Sequence, residues 1–232
     1  MKQQSQLFGN ILLPLMIIWS ISANGQNHFL GIKGGVTRTD IIISENTNED
    51  FSLDHKMITG FAGGLTYDFF CNKYVTLGAD IIYDQRGFGT SISRTDQAGN
   101  EMGKSLIRNQ FDYLTVPLKA GFIIGNSVYG FTNLGITPAL LVKTKIIYTS
   151  ELFGETIIIQ PKNDNNNLDI GGILELGAGY RLKDRFLFYS SFSFQQSFYT
   201  ISKKDFNYDL LGKFRHYGVA FNLGMKCALK KE

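Results

Sequence analysis

The sequence predicts an all-β fold: an eight-stranded antiparallel up-and-down transmembrane β-barrel with three short periplasmic turns and four long extracellular loops. Three observations support this prediction. Eight segments alternate apolar residues with small or polar ones, the connections between them are alternately short and long, and an export signal precedes the first segment. A period of two places successive side chains on opposite faces of a strand, so each segment has one apolar face.

The N-terminus has the features of a cleaved signal peptide. Lys2 supplies a positive charge, Ile11 to Ile21 is mainly apolar, and the small residues of Ala23–Gly25 precede the expected cleavage site. This apolar core is too short to cross a bilayer as a helix, which needs about twenty residues. We therefore expect residues 1–25 to be removed and residues 26–232 to form a single barrel domain.

Short turns and long polar connections alternate strictly along the chain, which is typical of outer-membrane barrels. The predicted strands cover about residues 28–39, 57–70, 74–87, 110–124, 128–141, 168–182, 186–199 and 215–229. The short turns are Cys71–Lys73, Gly125–Ser127 and Lys183–Arg185, and the long connections include Asp40–Lys56, Phe88–Asn109 and Thr200–Phe214. Within the second and third long connections we expect a hairpin tip at Ala98–Asn100 and a projecting hairpin at Thr144–Ile159.

The apolar face of each strand is expected to face lipid. A charged side chain facing lipid at mid-depth costs about 2–4 kcal/mol, so charged residues should lie on the other face. Residues 128–141 are ambiguous, because Tyr129 and Phe131 compete with Val128, Leu134 and Ile136 for the outward face. The alternative is a soluble lipocalin-like barrel, in which the apolar face would point inward.

An eight-stranded barrel has an interior that side chains can fill, so we expect a plugged lumen. Six charged residues fall on the predicted inward faces and are expected to form a structural charge network: Lys33, Asp68, Asp80, Lys119, Glu175 and Arg181. Pro117 lies in the middle of a predicted strand, where its missing N–H is costly, and a β-bulge would accommodate it.

The two cysteines, Cys71 and Cys227, are expected to remain free thiols. They fall on the second and eighth strands, with the first strand between them. Two strand spacings of about 4.8 Å each exceed the usual Cα separation of a disulfide.

No catalytic residue, cofactor site or metal site is predicted, and the chain is not expected to be an enzyme. A rim lipid hydrolase that uses His216 with Ser197 or Asp209 is an alternative, but no nucleophile motif supports it. The acidic residues of the first long connection lack calcium-loop spacing. The formal charge of +3 gives no concentrated basic face, so nucleic acid is not an expected partner.

Several stretches resemble the PorT-like outer-membrane β-barrel family of Gram-negative bacteria. They are Phe29–Val36, Asp80–Gly87, Tyr113–Lys119 and Ile170–Gly172 together with Gly177–Tyr180. In order and spacing they cover essentially the whole mature chain. The resemblance implies the fold and the outer-membrane location, and it makes Pro117 a characteristic feature of its strand, but for most members it implies no assigned molecular activity.

The expected role is therefore structural or surface interaction through the long loops. The expected partners are outer-membrane lipid, the barrel assembly machinery during insertion, and an envelope or surface protein. Two further alternatives are an accessory component of an envelope protein-secretion machine, which the PorT-like resemblance suggests, and a narrow channel.

Overall fold

The computed structural model describes residues 28–44, 55–95, 98, 101–150, 156–160, 167–183, 185–199 and 213–229. The expected signal peptide, residues 1–25, lies outside these ranges. The described strands are β1 His28–Ser44, β2 His55–Phe70, β3 Val75–Thr95, β4 Glu101–Thr115, β5 Leu118–Gly125, β6 Val128–Ser150, β7 Thr156–Ile159, β8 Leu168–Leu182, β9 Phe186–Ser197 and β10 Lys213–Ala228. No helix in the described ranges combines the length and apolarity that a helical membrane span requires.

The strands form a closed antiparallel ring, which confirms the predicted fold class. Each strand of the wall pairs with its neighbours along the chain, and β10 pairs with β1 to close the ring. Because β4 and β5 are consecutive parts of one wall strand and β7 pairs only with β6, the ring has eight strands. The closed ring leaves no wall strand with an unpaired edge in the membrane, where water cannot satisfy backbone groups.

The periplasmic turns lie where the sequence predicts them. At the first, the side-chain oxygen of Asn72 accepts hydrogen bonds from the amides of Tyr74 (2.8 Å) and Val75 (2.9 Å), which closes the turn. Gly125, at the second turn, has a φ of 116°, which favours glycine. The thiols of Cys71 and Cys227, near the same rim, are both free.

Three strands, β3, β4 and β6, continue eight or nine residues beyond the predicted barrel wall into an extracellular extension. β1 also continues past its predicted end, to Ser44, which pairs with Lys213 of β10. The segment Phe88–Asn109, predicted as a long connection with a hairpin tip at Ala98–Asn100, pairs strand to strand as far as Thr95 and Glu101. Of the predicted tip only Ala98 lies in the described residues. The predicted projecting hairpin is present, because Ile146–Thr149 of β6 pair with Thr156–Ile159 of β7. We call β7 and the parts of β3, β4 and β6 beyond the barrel wall the extracellular extension.

The apolar faces of the strands point outward, as predicted. Leu65, Leu118 and Leu176 are 52%, 47% and 54% exposed, whereas a lipocalin-like barrel would bury them in its centre. The ambiguous segment in β6 is also resolved, because Tyr129 is buried and Leu134 is exposed. A band of exposed apolar side chains therefore surrounds a lumen that contains the charged ones.

Pro117 is accommodated without the β-bulge that the sequence suggested. On the β3 side the register runs from Ile82 opposite Thr115 to Ala79 opposite Leu118, with no residue gained or lost. The Asp80 amide donates to the Pro117 carbonyl at 3.0 Å. In an antiparallel pair the return bond would need the N–H that proline lacks, so the strand tolerates the loss of one ladder hydrogen bond.

Candidate functional site in the barrel lumen

Four of the six predicted lumen charges meet in the middle of the barrel. Lys33 Nζ lies 2.6 Å from an Asp80 carboxylate oxygen, and Lys119 Nζ lies 2.8 Å from the same oxygen. Lys119 Nζ also lies 3.1 Å from Glu175, and Lys33 Nζ lies 3.9 Å from it. We call Lys33, Asp80, Lys119 and Glu175 the central network; it contains two positive and two negative charges and is formally neutral.

Neutral hydrogen-bond donors complete the coordination of the two carboxylates. The Thr66 hydroxyl donates to Asp80 at 2.7 Å. The Ser191 hydroxyl and the Asn133 amide each donate to Glu175 at 2.9 Å. Buried charges are stable when they are both paired and hydrogen-bonded, and these two carboxylates meet both conditions.

The other two predicted residues form no ion pair with the central network in the described part of the chain. Asp68 forms an ion pair with Lys226, a residue that the sequence analysis had not selected. Lys226 Nζ also lies 4.6 Å from the centroid of the Tyr189 ring. The Arg181 guanidinium lies 5.9 Å from the Phe70 ring centroid, and its buried Nε has no hydrogen-bond partner in the described part of the chain.

A second buried network, which the sequence analysis did not predict, surrounds Arg86 closer to the extracellular side. Its guanidinium donates to Asp84 at 2.7 Å, to Asp169 at 2.9 Å and to the Thr115 hydroxyl at 3.1 Å. The same guanidinium lies 4.8 Å from the Tyr113 ring centroid. Asp84 and Arg86 share the inward parity of Asp80 on β3, so alternation could have identified them.

Two apolar layers close the lumen above and below the charged networks. The periplasmic layer consists of Phe29, Phe70, Ile123, Tyr129, Leu187 and Tyr189. The extracellular layer consists of Ile41, Phe111, Tyr113, Ala139 and Leu141. From the periplasmic to the extracellular side, the lumen therefore contains an apolar layer, the central network, the Arg86 network and a second apolar layer.

Glycines make room for the aromatic rings of the periplasmic layer. A Cβ atom added at Gly177 would lie 2.3 Å from the Phe131 ring, and one at Gly224 would lie 2.3 Å from the Tyr189 ring. At Gly179 the same atom would meet Tyr129 at 2.5 Å. Rings packed over glycines of a neighbouring strand are a recurrent way to fill a narrow barrel.

The histidines do not form a catalytic arrangement. His216 is buried, with its ring edge-on to Phe111 and Tyr113, and neither ring nitrogen has a hydrogen-bond partner among the described residues. His55 lies 3.0 Å from Asp40, and His28 lies 2.7 Å from the Tyr67 hydroxyl. Ser197, which the hydrolase alternative placed near His216, donates to Asp169 at 2.6 Å, and Asp209 lies outside the described residues. In the described ranges no group of three or more His, Cys, Asp or Glu side chains is arranged to hold a metal ion.

The family is established by a match over most of the chain. Residues 22–199 match the model of the outer membrane protein beta-barrel domain. The chain belongs to this family. The protein is therefore located in the outer membrane. The match ends before β10, the strand that closes the ring.

Solved structures with a similar chain course include three outer-membrane proteins. Neisserial surface protein A is 11% identical with a TM-score of 0.44, and the match covers 87% of this chain and 97% of that one. The attachment invasion locus protein of Yersinia pestis is 15% identical with a TM-score of 0.38, over 86% and 99%. The outer membrane protein OprG from Pseudomonas aeruginosa is 11% identical with a TM-score of 0.42, over 87% and 95%. No curated protein matches the chain significantly.

Proposed function

We propose that this outer-membrane barrel is a non-conducting, non-enzymatic scaffold that presents its extracellular extension to a protein partner. The observation that carries the proposal is the layered lumen. A continuous aqueous path would have to pass two apolar layers and two ion-paired networks, and eight-stranded barrels leave little space beyond their side chains.

The absence of conductance is directly testable. Purified protein in planar bilayers is expected to give no discrete current steps, because the central network fills the lumen and its charges neutralise one another. Reproducible steps of uniform size at moderate voltage would contradict the proposal and favour the narrow channel.

The extracellular extension supplies the surface for a partner. Ile157, Ile158 and Ile159 of β7 are 55%, 58% and 50% exposed. β7 pairs with β6 on one edge, and no described strand pairs with its other edge. An exposed apolar edge strand is a template for an added strand, since its free backbone groups can pair with an extended segment of another protein.

Crosslinking in intact cells tests this surface. A photoreactive residue placed at Ile158 is expected to give a discrete protein adduct, whereas the same residue at Tyr74, in a periplasmic turn, is not expected to give that adduct. The substitution Ile157→Lys should weaken the adduct, because lysine on an edge strand opposes strand addition. If the adduct persisted unchanged in that variant, β7 would not be the contact.

The identity of the crosslinked protein decides between the remaining roles. A subunit of an envelope secretion machine would support the accessory role that the PorT-like resemblance suggests. A surface or extracellular protein would support an independent interaction role. Both are binding functions, and both use the barrel wall only as a membrane support.

A further inference from the structure

An arginine lies on the outer wall of the barrel, at the upper edge of the lipid-facing band. Arg38 of β1 is exposed and follows Val36, which is 54% exposed on the same face. Its register partners are Val219 on β10, which is also exposed, and Thr59 on β2. Directly paired residues share a face of the sheet, so Arg38 points out of the barrel. Within the described ranges its side chain makes no ion pair or hydrogen bond.

A second arginine converges on the same place. Arg108 of β4 lies opposite Gly89 of β3. Its guanidinium reaches across β3 and donates from Nη2 to the carbonyl of Thr59, the register partner of Arg38. Its Nε is buried and has no hydrogen-bond partner among the described residues.

The neighbouring carboxylates are already engaged. Asp40, two residues beyond Arg38 on β1, accepts a hydrogen bond from the Ile41 amide and lies 3.0 Å from His55. Asp112, on β4, lies 3.2 Å from Lys145 and accepts a hydrogen bond from Gln110. The positive charges of Arg38 and Arg108 are thus not neutralised by these acids.

The height of the two arginines identifies the complementary ligand. The cost of an outward-facing cation falls steeply from the bilayer midplane to the interface, so Arg38, directly above the exposed Val36 and Phe61, belongs at the headgroup boundary. The outer leaflet of an outer membrane consists of a phosphorylated glycolipid whose phosphates lie at this boundary. Guanidinium groups recognise phosphate through two parallel hydrogen bonds, which suits two arginines with unused donors.

We propose that Arg38 and Arg108 form a binding site for a phosphate group of the outer-leaflet glycolipid. Arg38 lies on the lipid-facing wall, and Arg108 lies at the base of the extracellular extension, where its register partner Ile147 also pairs with Ile158 of β7. The site uses neither the lumen nor a residue of β7.

Native mass spectrometry of the detergent-solubilised full chain tests the site, with bisphosphorylated lipid A as the probe. Wild type is expected to retain lipid A, and Arg38→Gln and Arg108→Gln are each expected to lower the retained fraction about fivefold, the size of one well-placed exposed ion pair. Arg38→Lys should lower it less than Arg38→Gln, because the charge remains while the bidentate geometry is lost. The matched control is Lys73→Gln, which removes an exposed cation at a periplasmic turn and should leave retention unchanged.

Three results would overturn the proposal. They are equal retention of lipid A by wild type and the Arg38→Gln/Arg108→Gln variant, equal retention of lipid A from which the phosphates have been removed, and a loss in Lys73→Gln as large as in the arginine variants. Circular dichroism checks that each variant is folded. If the double variant does not fold, a salt titration of wild type decides: retention of lipid A must fall with rising ionic strength, and retention that is insensitive to salt refutes the site.

Discussion

Glu175 illustrates how a single residue can remain charged inside the barrel. It is 1% exposed, yet it faces the ammonium groups of Lys119 and Lys33 and accepts hydrogen bonds from Ser191 and Asn133. Each of its two carboxylate oxygens therefore has a neutral donor as well as a cation nearby. The stability of this carboxylate depends on all of these contacts together, because a buried charge that loses one partner is left incompletely compensated.

We expect Glu175→Gln to lower the free energy of unfolding by about 3 kcal/mol or more, because it leaves two lysines facing one carboxylate. The measurement is urea unfolding in lipid vesicles, followed by circular dichroism. The variant Glu175→Gln/Lys119→Met should recover much of the loss, since the remaining Lys33–Asp80 pair is again neutral. Lys73→Gln, at an exposed periplasmic position, should have almost no effect. If Glu175→Gln were as stable as wild type, the network would contribute little to stability.

Alternation along the strands predicted the face of the lumen charges but not their height. Asp68 and Arg181 have the same inward parity as Asp80, yet they lie nearer the periplasmic rim and contact other residues. The height of a residue depends on the stagger between neighbouring strands, which a single strand pattern does not contain. Arg86 has the inward parity of Asp80 and lies within the predicted strand, but its partner Asp169 is on β8, and a single strand pattern does not show that the two meet.

At the scale of elements, the contact between β1 and β10 is limited by backbone approach. A Cβ atom added at Gly35 would lie 2.1 Å from the Phe221 carbonyl oxygen, which is backbone and cannot rotate away. A Cβ at the preceding residue, Gly34, would have its nearest neighbour at 3.8 Å. Gly35 therefore has no room for a side chain, whereas Gly34 has room for a methyl group.

Gly35→Ala is expected to destabilise the barrel by about 1–3 kcal/mol, because β1 and β10 must separate. Gly34→Ala is the matched control; it should be neutral or stabilise the strand by up to about 1 kcal/mol, since alanine restricts the unfolded chain. Both values come from the same urea unfolding measurement. Equal effects of the two substitutions would contradict the close approach at Gly35.

The ends of the strands were less predictable than their existence. Within the membrane one face meets lipid and the other the lumen, so alternation is clear. Beyond Phe88 the sequence no longer alternates apolar with polar residues, so this part of β3 has the composition of a loop although it is paired with β4. The β6–β7 hairpin was predictable because its residues still alternate. The bulge predicted at Pro117 is absent because the strand loses a single hydrogen bond there while its register with β3 stays continuous, and the sequence alone does not show that register.

At the scale of the whole molecule, the exposed apolar side chains define a band that the hydrocarbon must cover. Leu118 lies within this band, between Val116 and Ala120 on the outward face. Leu106 is exposed to a similar extent but lies in the extracellular extension, opposite Ser91 and Thr149. Because Leu118 and Leu106 are about equally exposed but lie at different heights, a difference between substitutions at the two positions reports the effect of lipid and not of burial in the protein.

Leu118→Arg is expected to cost about 2–4 kcal/mol of stability in lipid vesicles, and Leu106→Arg about 0–1 kcal/mol, because the penalty for a cation depends on its depth in the bilayer. The difference should shrink in detergent micelles, which adapt around a charge more readily than a bilayer. A large and equal cost at both positions would mean that the lipid boundary lies well above the one inferred from exposure.

The extracellular extension continues the backbone ladder of the wall without a flexible joint. β3 and β4 remain paired from the level of Ile82 and Thr115 to Thr95 and Glu101. A load applied at the tip is therefore carried in shear by many parallel backbone bonds, and it reaches the membrane as a torque on the barrel. A partner that binds the paired part of this extension, between Phe88 and Arg94, is therefore expected to keep a fixed orientation to the bilayer.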